Sequence, residues 1–226
     1  GTVTLQRALA QSLNIPALKL ADKLGIQTVI DYARRFGITS NLPGYLPVAL
    51  GAAEVTVLEQ TSAYSVFPDD GVRVVPRFIT KVTDYDGRVL EEDFPDVKDV
   101  VSARTARLMT SMLREVVLHG TAISASTMKY QLAGKTGTTN NFTDAWFVGF
   151  SPSITTGVWI GYDERKSLGA GETGARAALP VWTDFMKVAM AGKESETFAP
   201  PPELPPNPLA QRVDTPDTAP ASQEPH

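Results

Sequence analysis

Three strand-like runs follow one another late in the chain, at 130–138, 145–150 and 155–162, and the last two are joined by the tight connection Ser151-Pro152-Ser153. A link that short turns the chain straight back on itself, so these runs are expected to pair antiparallel. The segments on either side carry helical periods and do not alternate with strands. That order predicts an α+β fold, an antiparallel sheet of three carboxyl-terminal strands packed against helices beside a mainly helical subdomain, rather than a doubly wound one. No internal repeat is present.

The first 70 residues read as helices. Thr4 is placed to cap a short helix bearing Leu5, Ala8 and Leu9, which ends near Ser12. Pro16 suits the first turn of the next, with Ile15, Leu18, Ala21 and Leu24 in one stripe and Gly25 as its stop. Val29, Ile30, Ala33 and Phe36 mark a third. Thr56-Val57-Leu58-Glu59 is a capping box, in which side chains at both ends satisfy backbone N–H groups that lack a helical partner. It opens a fourth helix with Leu58, Ala63, Val66 and Phe67 inward. Residues 77–82 and 88–90 flank the turn signal Asp84-Tyr85-Asp86-Gly87 and predict a hairpin. Ser102 should cap a long helix reaching His119, with Ala106, Met109, Leu113, Val116 and Val117 inward. Gly169, Ala170, Gly171 and Gly174 read as a flexible link. Pro180 then starts a closing helix with Val181, Trp182, Phe185 and Val188 turned to the sheet.

Composition removes whole classes of function. With 21 Lys+Arg against 25 Asp+Glu, a net charge of −4, the chain has no basic footprint for nucleic acid. It holds no cysteine, which excludes disulfide scaffolds and thiol catalysis, and its two histidines, His119 and His226, cannot build a multi-histidine metal site. No apolar run reaches the roughly 18–20 residues that span a bilayer, and no signal peptide opens the chain. Nine prolines fall in the 27 residues from Pro200 to His226. So much proline removes backbone donors and favours extended backbone, and few apolar side chains remain to offset ordering entropy. The expected organisation is one partial domain over 1–198 and a disordered Pro-rich tail over 199–226.

Lys135-Thr136-Gly137-Thr138-Thr139 is the strongest chemical signal, with a chance probability on the order of 10⁻⁴ in a chain of this size. Gly134 and Gly137 interrupt the strand, and glycine in a strand often marks a close approach by a ligand backbone. The run offers a main-chain edge, a cation and two hydroxyls. Alternation places Thr136 and Thr138 on one face and Lys135 and Gly137 on the other, unless local twist lets all of them address one ligand. A solvated edge strand is the competing reading. Ser12-Leu13-Asn14 is weak alone, since such a triple arises by chance roughly once in two such chains and capping between two helices would explain it.

Together the two motifs resemble the transpeptidase domain of class A penicillin-binding proteins, serine acyl-transferases whose superfamily uses Ser-x-x-Lys, Ser-x-Asn and Lys-Thr-Gly in that order. The last two stand here as Ser12-Leu13-Asn14 and Lys135-Thr136-Gly137. The similarity extends through 10–17, 49–56, 134–139 and 144–150, covering roughly residues 1–190. It implies the penicillin-binding transpeptidase fold, truncated at its amino-terminal side. The nucleophilic serine of the first motif is expected upstream of Ser12, and eleven residues precede Ser12 here. The chain's own Ser-x-x-Lys, Ser126-Thr127-Met128-Lys129, stands in the wrong order beside a strand, where positions i and i+3 share no face, and reads as a decoy.

Carried onto this sequence, the resemblance implies that Ser12 relays a proton between Lys135, an upstream lysine and the leaving amine. Asn14 would bind the acyl-side amide. Lys135 would supply positive potential, and Thr136 and Thr138 with Gly137 would bind the donor's terminal carboxylate. The Thr138 N–H would form half of an oxyanion hole, worth about 3 kcal/mol per donor. No cofactor and no metal are implied. The implied partners are peptidoglycan stem peptides and β-lactams. A membrane-anchored, extracytoplasmic parent with an upstream glycosyltransferase domain is also implied, the missing segment lying in it or in a second chain. A hydrolytic relative (D,D-carboxypeptidase or β-lactamase) and a non-catalytic ligand-binding fragment are the alternatives.

Overall fold

The computed structural model describes residues 2–203, so the tail expected from 199 onward lies mostly outside the described residues. Among the described residues six α-helices and seven strands are arranged in the expected α+β order. Strands β5 (Ala133–Thr138), β6 (Asp144–Phe150) and β7 (Thr155–Gly161) form one antiparallel sheet in the order β5-β6-β7, which leaves β5 at an edge. The first expected strand is shorter than residues 130–138 suggested, because a 3₁₀ turn at Ile123–Thr127 and an irregular link precede it.

The register puts Ala133, Lys135 and Gly137 on one face with Phe150, Val148 and Trp146, and Gly134, Thr136 and Thr138 on the other with Gly149, Phe147 and Ala145. Helix α6 (Leu179–Ala189) covers the second face. Its Trp182 is fully buried, meets Phe147 edge-on at 4.9 Å between centroids and donates its indole N–H to Thr156 O at 3.0 Å. The expected inward stripe of this helix is corrected: Leu179, Trp182 and Met186 are buried, whereas Val181, Phe185 and Val188 face solvent. A π-turn at Gly174–Ala178 leads directly into α6 and sets its phase.

On the Lys135 face, α4 (Val57–Ser65) comes so close to β7 that a Cβ at Gly157 would overlap the Thr61 hydroxyl. Helix α5 (Ala103–His119), capped by Ser102 as expected, brings Leu113 against Ala133 and Phe150. The capping box forms. Glu59 accepts from Thr56 N while Thr56 Oγ1 accepts from Glu59 N. The same carboxylate also accepts from the backbone and hydroxyl groups of Thr39 and Ser40 at 2.5–2.8 Å, tying α4 to the loop after α3 (Ile26–Arg35). Burial raises the Glu59 pKa, but these hydrogen bonds outweigh it and hold the carboxyl well below its ordinary range.

The expected hairpin exists as β2 (Lys81–Thr83) and β3 (Val89–Glu92), but a second pair, β1 (Val72–Val74) with β4 (Val97–Asp99), encloses it. Helix α1 (Leu5–Ala10) is capped by Thr4. In α2 (Asn14–Leu24) the expected stripe is only part-buried, with Ile15 68% and Leu24 60% exposed.

Candidate active site

Helix α1 ends in a glycine-type motif that has no glycine. Ser12 N–H donates to Leu9 O at 3.1 Å, Leu13 N–H donates to Ala8 O at 2.9 Å, and Ser12 is left-handed with φ 54°. These are the two bonds of a Schellman cap, whose left-handed position usually takes glycine. A serine there costs conformational energy relative to glycine. Its hydroxyl accepts from Lys135 Nζ at 2.6 Å, a contact that spans 123 residues of sequence. The two motifs therefore meet. Helix capping does not account for the triple: Leu13 occupies the N-cap of α2 without a side-chain bond, and Asn14 is its exposed first residue.

Lys135 is half-buried on the sheet, and burial lowers its ammonium pKa to about 8. Nζ also donates to Thr136 O at 3.0 Å. That carbonyl is free to accept because of the ladder's alternation. Thr139 N–H donates across to Asp144 O at 3.2 Å. Bonded pairs in an antiparallel ladder recur every second residue. Gly137 and Lys135 thus direct their backbone groups at β6, and Thr136 and Thr138 direct theirs to the open edge. The Thr138 N–H consequently points out of the sheet at the edge where Ser12 and Lys135 meet.

Thr136 and Thr138 keep the ideal alternation, with their side chains on the α6 face and Lys135 on the other, and each hydroxyl has a fixed partner. Thr138 Oγ1 accepts from Gly174 N–H at 3.0 Å, which occupies a lone pair and leaves the hydroxyl proton to be donated. Gly174 is no mere flexible link. It is buried, and a Cβ there would overlap Trp146 O and crowd Gly137 O. Thr136 Oγ1 lies 2.7 Å from Thr121 Oγ1. Gly137 faces Trp146, whose Cβ is 3.1 Å from where a Gly137 Cβ would stand, so a larger residue would have to push the two strands apart by a few tenths of an ångström.

Sequence reasoning missed Thr121 and the role of Gly174. The only signals were a glycine immediately after the long helix, at Gly120, and one just before the closing helix. Ser126 and Lys129 do not share a helical turn. The Ser126 hydroxyl donates to Ile123 O within its own 3₁₀ turn, and Lys129 lies beyond it. Beyond the β5 end, Thr139 Oγ1 accepts from Thr143 N and Asp144 N, and Asp144 accepts from the Trp159 indole at 3.0 Å, which fixes the β5–β6 turn.

An edge strand with an outward N–H, two oriented hydroxyls and a half-buried amine against a serine can bind a carboxylate and stabilise an oxyanion. Known proteins are similar to this chain in sequence and in fold. The chain is 49% identical over 203 residues to penicillin-binding protein 1A of Aquifex aeolicus, covering 90% of this chain and 28% of that protein. It is 40% identical over 203 residues to the Neisseria gonorrhoeae protein of the same name, covering 87% of this chain and 25% of that protein. The chain thus spans about a quarter of the length of these relatives. Its fold superposes on penicillin-binding protein 1A of Haemophilus influenzae with a TM-score of 0.82 at 29% identity, over 88% of this chain and 36% of that one. On the PonA1 protein of Mycobacterium tuberculosis in complex with penicillin V the TM-score is 0.79 at 28% identity, over 92% of this chain and 63% of that one. The family model described as the penicillin binding protein transpeptidase domain matches residues 1–187, and the chain belongs to that family of transpeptidase domains.

Proposed function

We propose that this chain supplies the proton-relay and donor-binding half of a serine D,D-transpeptidase site in a larger cell-wall synthase. The observation that carries the reading is the 2.6 Å bond from Lys135 Nζ to Ser12 Oγ beside the open edge of β5. A serine from an upstream Ser-x-x-Lys segment attacks the carbonyl between the two D-alanines of a stem peptide. The tetrahedral oxyanion is bound by the Thr138 N–H and the serine's own N–H. The C–N bond breaks, and the terminal D-alanine leaves as an amine that takes a proton through Ser12. A second stem's amine then displaces the serine from the ester. The Thr136 and Thr138 hydroxyls hold the departing residue's carboxylate, Lys135 adds positive potential from the other face of the strand, and Asn14 meets the acyl-side amide. β-Lactams acylate the same serine as donor mimics.

The match covers only 28% and 25% of two longer relatives, which supports a parent with further domains; we place that parent at the extracytoplasmic face of the membrane with an anchor and a glycosyltransferase domain upstream. Among the described residues no helix is long and apolar enough to cross a membrane.

Fluorescent penicillin tests the reading. The 226-residue chain should take no covalent label, and a version extended upstream by about 80 residues, the order of a small subdomain, should label at the new serine. Label on the short chain would make Ser126 the nucleophile. Failure of the extended chain to label would overturn the assignment.

A further inference from the structure

The turn that closes α5, His119-Gly120-Thr121, is bonded to both halves of the site. Gln11 Nε2 donates to His119 O at 3.0 Å, and Thr121 N–H donates to Ala10 O at 3.1 Å. Gly120 lies so close to α1 that a Cβ would overlap Ala10 O and stand 2.9 Å from Val116 Cα. The turn therefore grips Ala10 and Gln11, the two residues that lead into Ser12. Its other end reaches the strand through Thr121 Oγ1, 2.7 Å from Thr136 Oγ1. Both threonines are half-buried.

A hydroxyl has one proton to donate. If Thr136 donates it to a ligand carboxylate, the only role left in its contact with Thr121 is acceptor, and Thr121 must be the donor. We propose that Thr121 is a positioning residue for the acyl donor's carboxylate: it donates its proton to Thr136 Oγ1 and so aims the Thr136 proton at the open edge. The relay runs Thr121 O–H to Thr136 Oγ1, then Thr136 O–H to the carboxylate, with no net proton transfer. It matches what the Gly174 N–H does for Thr138, except that a side chain here plays the part of a backbone group. Because the same turn fixes Ala10 and Gln11, it also sets the spacing between Ser12 and the carboxylate position. This inference rests on the transpeptidase reading above, in which Thr136 binds that carboxylate.

The test uses the upstream-extended chain and second-order acylation rates with benzylpenicillin, which carries a free carboxylate, and with its methyl ester. Thr121→Val keeps the shape and removes the donor, and Thr121→Ser restores it. The valine variant should lower the rate with benzylpenicillin about tenfold, the order expected for a misaligned charge-assisted hydrogen bond. The ester rate should change less than about twofold, and serine should recover most of the loss. In a Thr136→Val background, Thr121→Val should add nothing, since its only route of action is gone. Equal losses with acid and ester, additive effects of the two valine changes, or no effect at all would each overturn the proposal. If the unsubstituted chain is not acylated, the transpeptidase reading fails instead, and the two failures are distinguishable.

Discussion

Raising the pH from 7 to 10.5 should stabilise this chain through Lys135. Burial lowers the pKa of its ammonium group from 10.5 to about 8, although Nζ donates to Ser12 Oγ and Thr136 O. Below pH 8 the lysine is protonated in both folded and unfolded chains, and the folded state bears the whole cost of confining the charge. Between 8 and 10.5 the unfolded chain binds more proton at this site than the folded one, so stability rises with pH in that window. A shift of about 2.5 units at about 1.36 kcal/mol each gives up to about 3 kcal/mol. Solvent reaches part of the side chain and screens it, which brings the expected effect to about 1–3 kcal/mol. Urea unfolding of the native chain and of Lys135→Met across this range measures it. The difference between the two curves cancels the other titrating groups, including Tyr64, whose pKa burial raises to about 12. The offset at pH 7 also contains the two lost hydrogen bonds, so the predicted quantity is the change in that difference between pH 7 and 10.5. Native stability should gain on the variant by about 1–3 kcal/mol over the window. Parallel curves would refute the depressed pKa, and with it the claim that β5 and the Ser12 loop enclose this amine.

Ser12→Gly and Ser12→Ala both remove the hydroxyl that meets Lys135, but only glycine adopts φ 54° freely. Thermal or urea unfolding should find the glycine variant more stable than the alanine variant by about 1 kcal/mol, and equal stabilities would exclude strain at this cap. At Glu59 the depressed carboxyl pKa contributes stability that is fully present above the ordinary carboxylate pKa and is lost as pH falls through its folded value. Glu59→Gln should cost about 2 kcal/mol at pH 7 by weakening bonds to Thr39, Ser40 and Thr56, and denaturant titrations at pH 7 and pH 3 should show that cost shrinking in acid.

What the sequence made legible was whatever a short window determines. The Thr56 capping box, the Ser102 cap and the turn at Ser151-Pro152-Ser153 all depend on residues within four positions of one another, and all formed as read. The buried face of α6 did not follow because the helix is apolar on several sides. Val181, Phe185 and Val188 are as good a stripe as Leu179, Trp182 and Met186, and the π-turn at Gly174–Ala178 chooses between them. Strands β1 and β4 were missed since three residues each give too short a period to detect.

The same distinction divides the site. Lys135, Thr136, Gly137 and Thr138 are adjacent, and their string together with Ser12-Leu13-Asn14 carried the resemblance that implied an acyl donor's carboxylate. Side-chain identity, however, does not fix where a hydroxyl proton points. That depends on which lone pair is already taken, and the groups that take them, Gly174 N–H for Thr138 and Thr121 Oγ1 for Thr136, are 36 and 15 residues away. Ser12 shows the reverse dependence: a local rule asks for glycine at its position, and the distant Lys135 explains why serine stands there despite the strain. Asp70 shares that pattern, left-handed at φ 50° and bonded to Arg107 37 residues away, so the backbone alone marks a long-range tether; what singles out Ser12 is that its partner is a half-buried amine beside the open edge of β5.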